Sequence, residues 1–387
     1  MKLCVISFKK CWREGKTWFS QGGFPLQVSH MSTIFEHTEL LITETGKKQG
    51  GIPIDPAISV LPMHSPAGKG LVRKVFFVLA LPYYVCKIIP AIRRADVVHT
   101  PLPGDIPLLG MILAVLMRKR LIARYCGSWE KDPNDTAARY LTRRLMRLLS
   151  SGNNVMMTTG GDDLDRGRIK DAKGIQTIFS TAISRSDLAL VRPDLRRPLN
   201  CPAQLVYLGR LSYGKGVEDL IHALSYIKHD YPGVEMPRLT IIGGGPDSSK
   251  LRGLAEELGC SDLVRFTGQL DRGEILRELN GKDVCITPSF SEGFSKVWLD
   301  AMLFGILIIS YDIGGAVAAV GGNGERGWIV PVGNKRLLAD CIYKVISDHG
   351  IDWFSLRKAC REYAEKHTLE DWVVRIKYIC TNKWGDL

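Results

Sequence analysis

Short apolar runs alternate with amphipathic helical stretches along most of the chain, and no other feature restricts the fold as tightly. In the second half the runs fall at residues 204–208, 239–243, 263–267, 284–288, 307–310 and 328–330, with helical patterns near 217–228, 247–258, 273–279, 295–304 and 337–346. In the first half they fall at 2–8, 39–43, 58–61, 96–99, 121–125, 155–158 and 175–179, with helices notably over 104–117 and 136–149. Strands joined through helices pair in parallel, and a parallel sheet needs helices on both faces to bury it. The spacing predicts an α/β protein of two doubly wound, Rossmann-like domains, and 387 residues is a suitable length for two. Between the halves, residues 180–202 lose apolar periodicity and gather Arg185, Arg192, Arg196, Arg197, Pro193, Pro198 and Pro202, the composition of a linker. The predicted division is 1–190, 191–368 and a closing helix within 369–387 that crosses back to the first domain.

Ligands of open α/β sheets bind at the carboxyl ends of the strands, so three strand-to-helix junctions carry the chemistry. In Gln21-Gly22-Gly23-Phe24-Pro25, Gly22 and Gly23 let the backbone approach a ligand at the start of a helix, and a plain turn has the same signature. In the stretch 206–216, VYLGRLSYGKG, Gly209 ends a strand while Arg210 and Lys215 place a guanidinium fork and a point charge five residues apart, an arrangement that can bridge a diphosphate. The same residues nearly complete a nucleotide-triphosphate loop, Gly209-x4-Gly214-Lys215, but Gly216 has no hydroxyl for Mg²⁺. In the stretch 287–302, TPSFSEGFSKVWLDAM, Glu292 and Gly293 precede a helix expected to start near Ser295, where free N–H groups hold phosphate and a carboxylate accepts from hydroxyls. Asp300 is eight residues beyond Glu292, which on helical spacing puts the two acids on roughly one face and suits a polyol.

With those residues in view, the second half resembles the donor domain of the retaining GT-B glycosyltransferases, family four. The segments LVYLGRLSYGKGVEDLIHAL, LTIIGGGPDSSKLRGLAEELG, VRFTGQL, SEGFSKVWLDAM and ILIISYDIGG through RGWIVP follow that family's order at sensible spacing over about 140 residues. The first half is similar more loosely, through Gly22-Gly23, ADVVHTPLP and RLIARYCGSW. The resemblance implies two domains facing across a cleft, the first binding an acceptor and the second a nucleotide sugar. It implies that Arg210 and Lys215, with the backbone of Phe294, Ser295 and Lys296, hold the diphosphate, and that Glu292 contacts the transferred sugar. Asp300 stands where the family usually has Glu and would meet the ribose, and Gly268, Gln269 and Leu270 would lie against the base. It further implies a hexosyl transfer with retention to a glycan or lipid-linked acceptor, with no enzyme nucleophile, no cofactor and no metal, because two cations and a helix start stabilise the leaving diphosphate. Many members carry a histidine after the strand corresponding to RLIARY, whereas this chain has Cys126; His99, one strand earlier, reads as structural.

Other readings stay open on the residues alone. The same two-domain plan and phosphate site serve hydrolysing sugar-nucleotide epimerases and phosphorylases. A non-catalytic lipid- or nucleic-acid-binding protein would also use the basic half, although nucleic acid is not the expected partner. Asp163-Leu164-Asp165 is a DxD, a metal signature in another glycosyltransferase fold, but acids at a helix start have the same pattern. The glycine run from Gly243 puts Ser248 where a dinucleotide fingerprint needs its third glycine.

Charge separates the halves. Residues 1–200 hold 30 Lys and Arg against 16 Asp and Glu, a net +14, and residues 201–387 hold 22 against 24, a net −2. A basic half beside a neutral one suits an anionic surface, and a diffuse solvated face has the same arithmetic. Between Lys69 and Arg94, Phe76, Phe77, Tyr83 and Tyr84 are bracketed by Arg73, Lys74, Lys87 and Arg93, as in a segment lying on a membrane or in a core helix with basic ends. The apolar stretches 75–92 and 106–117 are interrupted or too short to span a bilayer, and the opening residues lack a signal-peptide pattern. Ten cysteines without a CxxC pair read as reduced core residues of a cytoplasmic protein that is peripheral to the membrane.

Overall fold

The computed structural model describes residues 1–46, 51–68, 70–129, 136–160 and 174–387. The chain forms two compact units, Met1–Phe179 with Leu369–Leu387, and Ser180–Thr368. Asp163 and Asp165 lie outside the described residues.

The first unit is built on β1 (Lys2–Glu14), β2 (Thr17–Gln21), β3 (His37–Glu44), β4 (Gly51–Pro53), β5 (Ile58–Met63), β6 (Val97–Leu102), β7 (Arg120–Tyr125), β8 (Asn154–Thr159) and β9 (Ile175–Ile178). Seven of these form a parallel sheet in the order β5-β3-β1-β6-β7-β8-β9. Leu3 to Ile6 are fully buried because helices cover both faces of the central strands. The first strand runs six residues beyond its expected end at Phe8, and Cys11–Glu14 pair antiparallel with β2, which pairs with β4. That extension escapes the sequence pattern because KKCWRE and TWFSQ mix charged, polar and aromatic residues, although Cys11, Trp12 and Ser20 are buried.

In the same unit the stretch between β5 and β6 divides in two. The helix Leu81–Arg94 buries Tyr84, Ile88, Ala91 and Ile92, an ordinary core helix with a basic end, whereas the helix Gly70–Leu79 has no fully buried residue and rests Phe77 against the core. Among the described residues no single helix is long and apolar enough to cross a membrane. The last helix, Leu369–Trp384, belongs to this unit, burying Trp372, Ile376 and Cys380 against the helix Phe24–Ser32 and strands β8 and β9.

The second unit has β10 (Gln204–Leu208), β11 (Arg238–Ile242), β12 (Val264–Gly268), β13 (Val284–Thr287), β14 (Leu307–Tyr311) and β15 (Gly327–Val330), all parallel, in the order β12-β11-β10-β13-β14-β15. The order reverses between β10 and β13, and that switch point is where an open sheet leaves a crevice at its carboxyl edge. Residues 180–190 count with this unit, and the expected linker contains a helix, Arg185–Leu190, started by a capping box between Ser184 and Asp187. Further on, Asp283, fully buried at the start of β13, accepts hydrogen bonds from Arg197 Nη1 at 2.7 Å, Asn200 Nδ2 at 2.8 Å, Arg357 Nη2 at 2.8 Å and the Gln204 N–H at 2.8 Å. One carboxylate thus fixes the arginine-rich segment and the helix Trp353–Glu365 to the sheet. All ten cysteines are unpaired, and Cys86, Cys126 and Cys201 are exposed rather than in the core.

Candidate active site

Two loops meet at the switch point of the second unit. After β10 the chain runs through Gly209 and Arg210 into a tight turn, Tyr213–Lys215, and then into the helix Val217–Asp230. Gly216 joins turn to helix at φ +63°, and a Cβ there would overlap the Pro288 carbonyl oxygen, so only glycine lets the two loops close on each other. The contact is fixed by a hydrogen bond from the Phe290 N–H to the Gly214 carbonyl at 3.0 Å and by the Tyr213 ring set edgewise on Phe290.

Across this contact the Lys215 ammonium forms an ion pair with the Glu292 carboxylate, both half-buried. The exposed Arg210 guanidinium has no partner among the described residues, which leaves five donors free at the end of β10. Glu292 and Gly293 are themselves braced from behind, because a Cβ on Gly314 would overlap the Glu292 carbonyl and the Gly315 N–H donates to the Gly293 carbonyl at 2.6 Å. Gly293, Phe294 and Ser295 are buried, and the short helix Lys296–Met302 begins without a side-chain cap at Ser295.

The two acids do not share a helical face. Glu292 lies in the loop four residues before the helix starts, so the spacing argument that paired it with Asp300 does not apply. Asp300 is buried on that helix and accepts from Arg272 Nη1 at 2.6 Å, while Arg272 Nη2 stands 3.5 Å from Asp187 Oδ2. Burial opposes the Arg272 charge, but the two carboxylates outweigh it and hold the guanidinium above its ordinary value. Arg272, two residues into the loop and helix after Leu270, carried no signal in the sequence because its partners lie 28 and 85 positions away.

Gly268 closes β12 at φ +76°, its carbonyl accepting from the Gly243 N–H at 2.9 Å, and Gln269 stands exposed beside Gly244. Gly22 and Gly23 belong to the first unit, between β2 and the helix Phe24–Ser32, and so follow the antiparallel ribbon rather than a strand of the parallel sheet. His99 is buried in β6 with Nδ1 3.0 Å from the Ile122 carbonyl; burial, and then the Arg124 charge, push its imidazole down to about 3. It is a neutral structural residue. Cys126 is exposed just after β7, its N–H bonded to the Leu102 carbonyl at 2.7 Å.

Residues 195–367 match the family model of the glycosyl transferases group 1. The second unit belongs to that family. The group 1 match covers the loops after β10, β12 and β13, and the resemblance drawn from the sequence holds there. A glycogen synthase of Mycobacterium tuberculosis is 37% identical over 153 residues, 40% of this chain and 36% of that protein, so the chain matches well under half the length of its curated relative. Among solved structures, a sucrose-phosphate synthase from Thermosynechococcus elongatus superposes with a TM-score of 0.70 at 18% identity over 99% of each chain. Anabaena HepE, in complex with UDP and glucose, superposes at 0.68 with 19% identity over 100% of this chain and 99% of that one. The fold is that of the GT-B glycosyltransferases.

Proposed function

We propose that this group 1 chain transfers a hexosyl group from a nucleoside diphosphate sugar, with retention, to a hydroxyl of a glycan or lipid-linked saccharide. The observation that carries the reading is the Lys215–Glu292 pair at the switch point, with Arg210 unpaired beside it. A diphosphate entering there takes Arg210 as a fork and draws Lys215 away from Glu292. Glu292 is thereby freed to accept hydrogen bonds from the hydroxyls of the sugar. As the sugar–phosphate bond breaks, charge grows on the departing diphosphate, and two fixed cations meet it where it develops. The diphosphate can then take the proton of the attacking hydroxyl, so the protein's work is positioning and charge stabilisation.

The two cations supply the charge that a divalent ion would otherwise provide, which is the basis for proposing metal-independent transfer. UDP bound to HepE makes UDP-sugars the first donors to try. The net +14 of residues 1–200 and the bare helix Gly70–Leu79 support a cytoplasmic protein peripheral to an anionic membrane. If the protein fails to sediment with anionic vesicles at low salt, the membrane part falls.

The experiment is incubation with UDP-, GDP- and ADP-hexoses, with and without EDTA, reading nucleoside diphosphate release and the anomeric configuration of the product by proton NMR. One donor is expected to release its diphosphate equally well in EDTA and to keep its configuration. Inversion, or release abolished by EDTA and restored by a divalent ion, would overturn the mechanism.

A further inference from the structure

A cavity of about 350 Å³ lies wholly within the first unit at the carboxyl edge of its parallel sheet. It straddles β1 and β6, where the strand order reverses, and is lined by Phe8, Lys10, Thr43, Arg73, Gly104 and Asp105 among others. The register of β1 slips there: Ile6 pairs with Leu41 but Lys10 with Thr43, so β1 advances four residues while β3 advances two. Phe8 and Lys10, two residues apart on β1, share a face, and both line the cavity. Gly104 is fitted to the Phe8 ring, since a Cβ would come 2.6 Å from it.

The charges in this cavity are arranged to exchange partners. Among the described residues no carboxylate pairs with the Lys10 ammonium, while Arg73 is held by Asp105 in a half-exposed ion pair. The cavity is therefore net positive by one, with one cation free and a second released if an anion displaces Asp105. Ser65 adds a hydroxyl to the lining, while the Thr43 hydroxyl donates to the Lys9 carbonyl at 2.8 Å.

Arg73 also belongs to the helix Gly70–Leu79, whose faces are reversed relative to an ordinary surface helix. Arg73 and Phe77 point inward, Phe77 stacking on Tyr84, while Val72, Val75, Phe76 and Leu79 form an outward stripe with exposures of 56%, 54%, 46% and 71%. Lys74 stands exposed on the same helix and Lys87 on the helix that follows. An exposed apolar stripe beside lysines fits an anionic lipid surface.

We infer that this cavity binds the phosphoryl group of a lipid, gripped by Lys10 and Arg73, while the helix that carries Arg73 is seated on the anionic bilayer from which the lipid projects. The inference rests on the transferase reading to the extent of calling that lipid the acceptor. Asp105 keeps Arg73 in place until the phosphoryl group takes over. The shared helix couples the two events, because the residue that grips the head group and the stripe that meets the bilayer cannot move independently.

The test reads binding and not turnover. Short-chain dihexanoyl phosphatidic acid, kept monomeric, is titrated into the full chain, with inorganic phosphate as competitor. In parallel the protein is sedimented with phosphatidylcholine vesicles containing phosphatidic acid. Lys10→Ala and Arg73→Ala are each expected to weaken the short-chain lipid by about tenfold or more, as for a lost charge-assisted hydrogen bond. Asp105→Asn is expected to tighten it severalfold, a gain that misfolding cannot produce. Val75→Glu with Leu79→Glu is expected to abolish vesicle sedimentation.

Unchanged affinity in Lys10→Ala and Arg73→Ala, or weaker binding in Asp105→Asn, would overturn the site. Inorganic phosphate binding as tightly as the lipid, with vesicle sedimentation indifferent to the glutamates, would overturn the lipid source and leave a water-soluble phosphate ligand. A wild type that binds the lipid phosphate but releases no diphosphate from any sugar nucleotide leaves this site standing and removes the transferase reading. The converse result removes this site alone.

Discussion

Arg272 and Asp300 show what a single residue's partner does to a sequence-based role. Asp300 is one carbon shorter than the glutamate the family usually has, and its carboxylate is engaged by the part-buried Arg272 instead of standing open at the crevice. Removing Arg272 leaves Asp300 buried without a counter-charge, at a cost of about 3–5 kcal/mol, whereas removing Asp300 leaves Arg272 still beside Asp187 and costs less. We expect Arg272→Ala to destabilise the chain by about that amount, and Asp300→Ala by less, in denaturant titrations. The double variant should cost clearly less than the two singles added, because the pair is coupled. Additive effects would show that the ion pair contributes nothing. None of this was legible in the sequence, where Arg272 is one of 52 basic residues and only the fold brings it to Asp300.

His99 is the contrary case, a residue whose structural role was legible from its place in an apolar strand. Its pKa falls from an ordinary 6.5 to about 3 on folding. The unfolded chain binds a proton there below about pH 6.5 and the folded chain does not, so stability is lost as pH falls from about 6.5 towards about 3. The slope is about 1.4 kcal/mol per pH unit at most. His99→Gln removes that contribution, and its stability should depend less steeply on pH across this window than wild type's. An identical slope would place the acid sensitivity elsewhere.

At the scale of elements, the strands of the second unit were legible because they are buried on both faces and read as continuous apolar runs. The antiparallel ribbon of β1, β2 and β4 was not, since its residues are mixed and β4 is only three residues long. The exposed face of the helix Gly70–Leu79 was equally hidden, because an apolar helix reads the same whether its stripe faces a core or a lipid. The contact between the β10 and β13 loops was legible only as two separate motifs, and the structure adds the joint, Gly216 against Pro288. Gly216→Ala must push these loops apart and also strain a left-handed residue, at about 1–3 kcal/mol. We expect its donor KM to rise about tenfold or more, measured against its loss of Tm. A variant that loses stability but keeps the wild-type KM would mean that the joint does not shape the crevice.

For the whole molecule, the division of legibility follows the division of the chain. The family match covers residues 195–367, and there the fold and the loops that meet at the switch point could be named in advance. The first unit shares the doubly wound plan, but its cavity is lined by residues from separate segments and by an ion pair between Arg73 and Asp105, neither of which leaves a motif. Lys215 and Glu292, brought together by the second unit alone, are the groups proposed to meet diphosphate and sugar. The decisive measurement is nucleoside diphosphate release from the preferred sugar nucleotide by wild type, Lys215→Ala and Glu292→Ala, each confirmed folded by its melting curve. Each substitution is expected to lower turnover by about 10²–10³-fold, as for one preorganised stabiliser of developing charge. Release at the wild-type rate by both folded variants would contradict it.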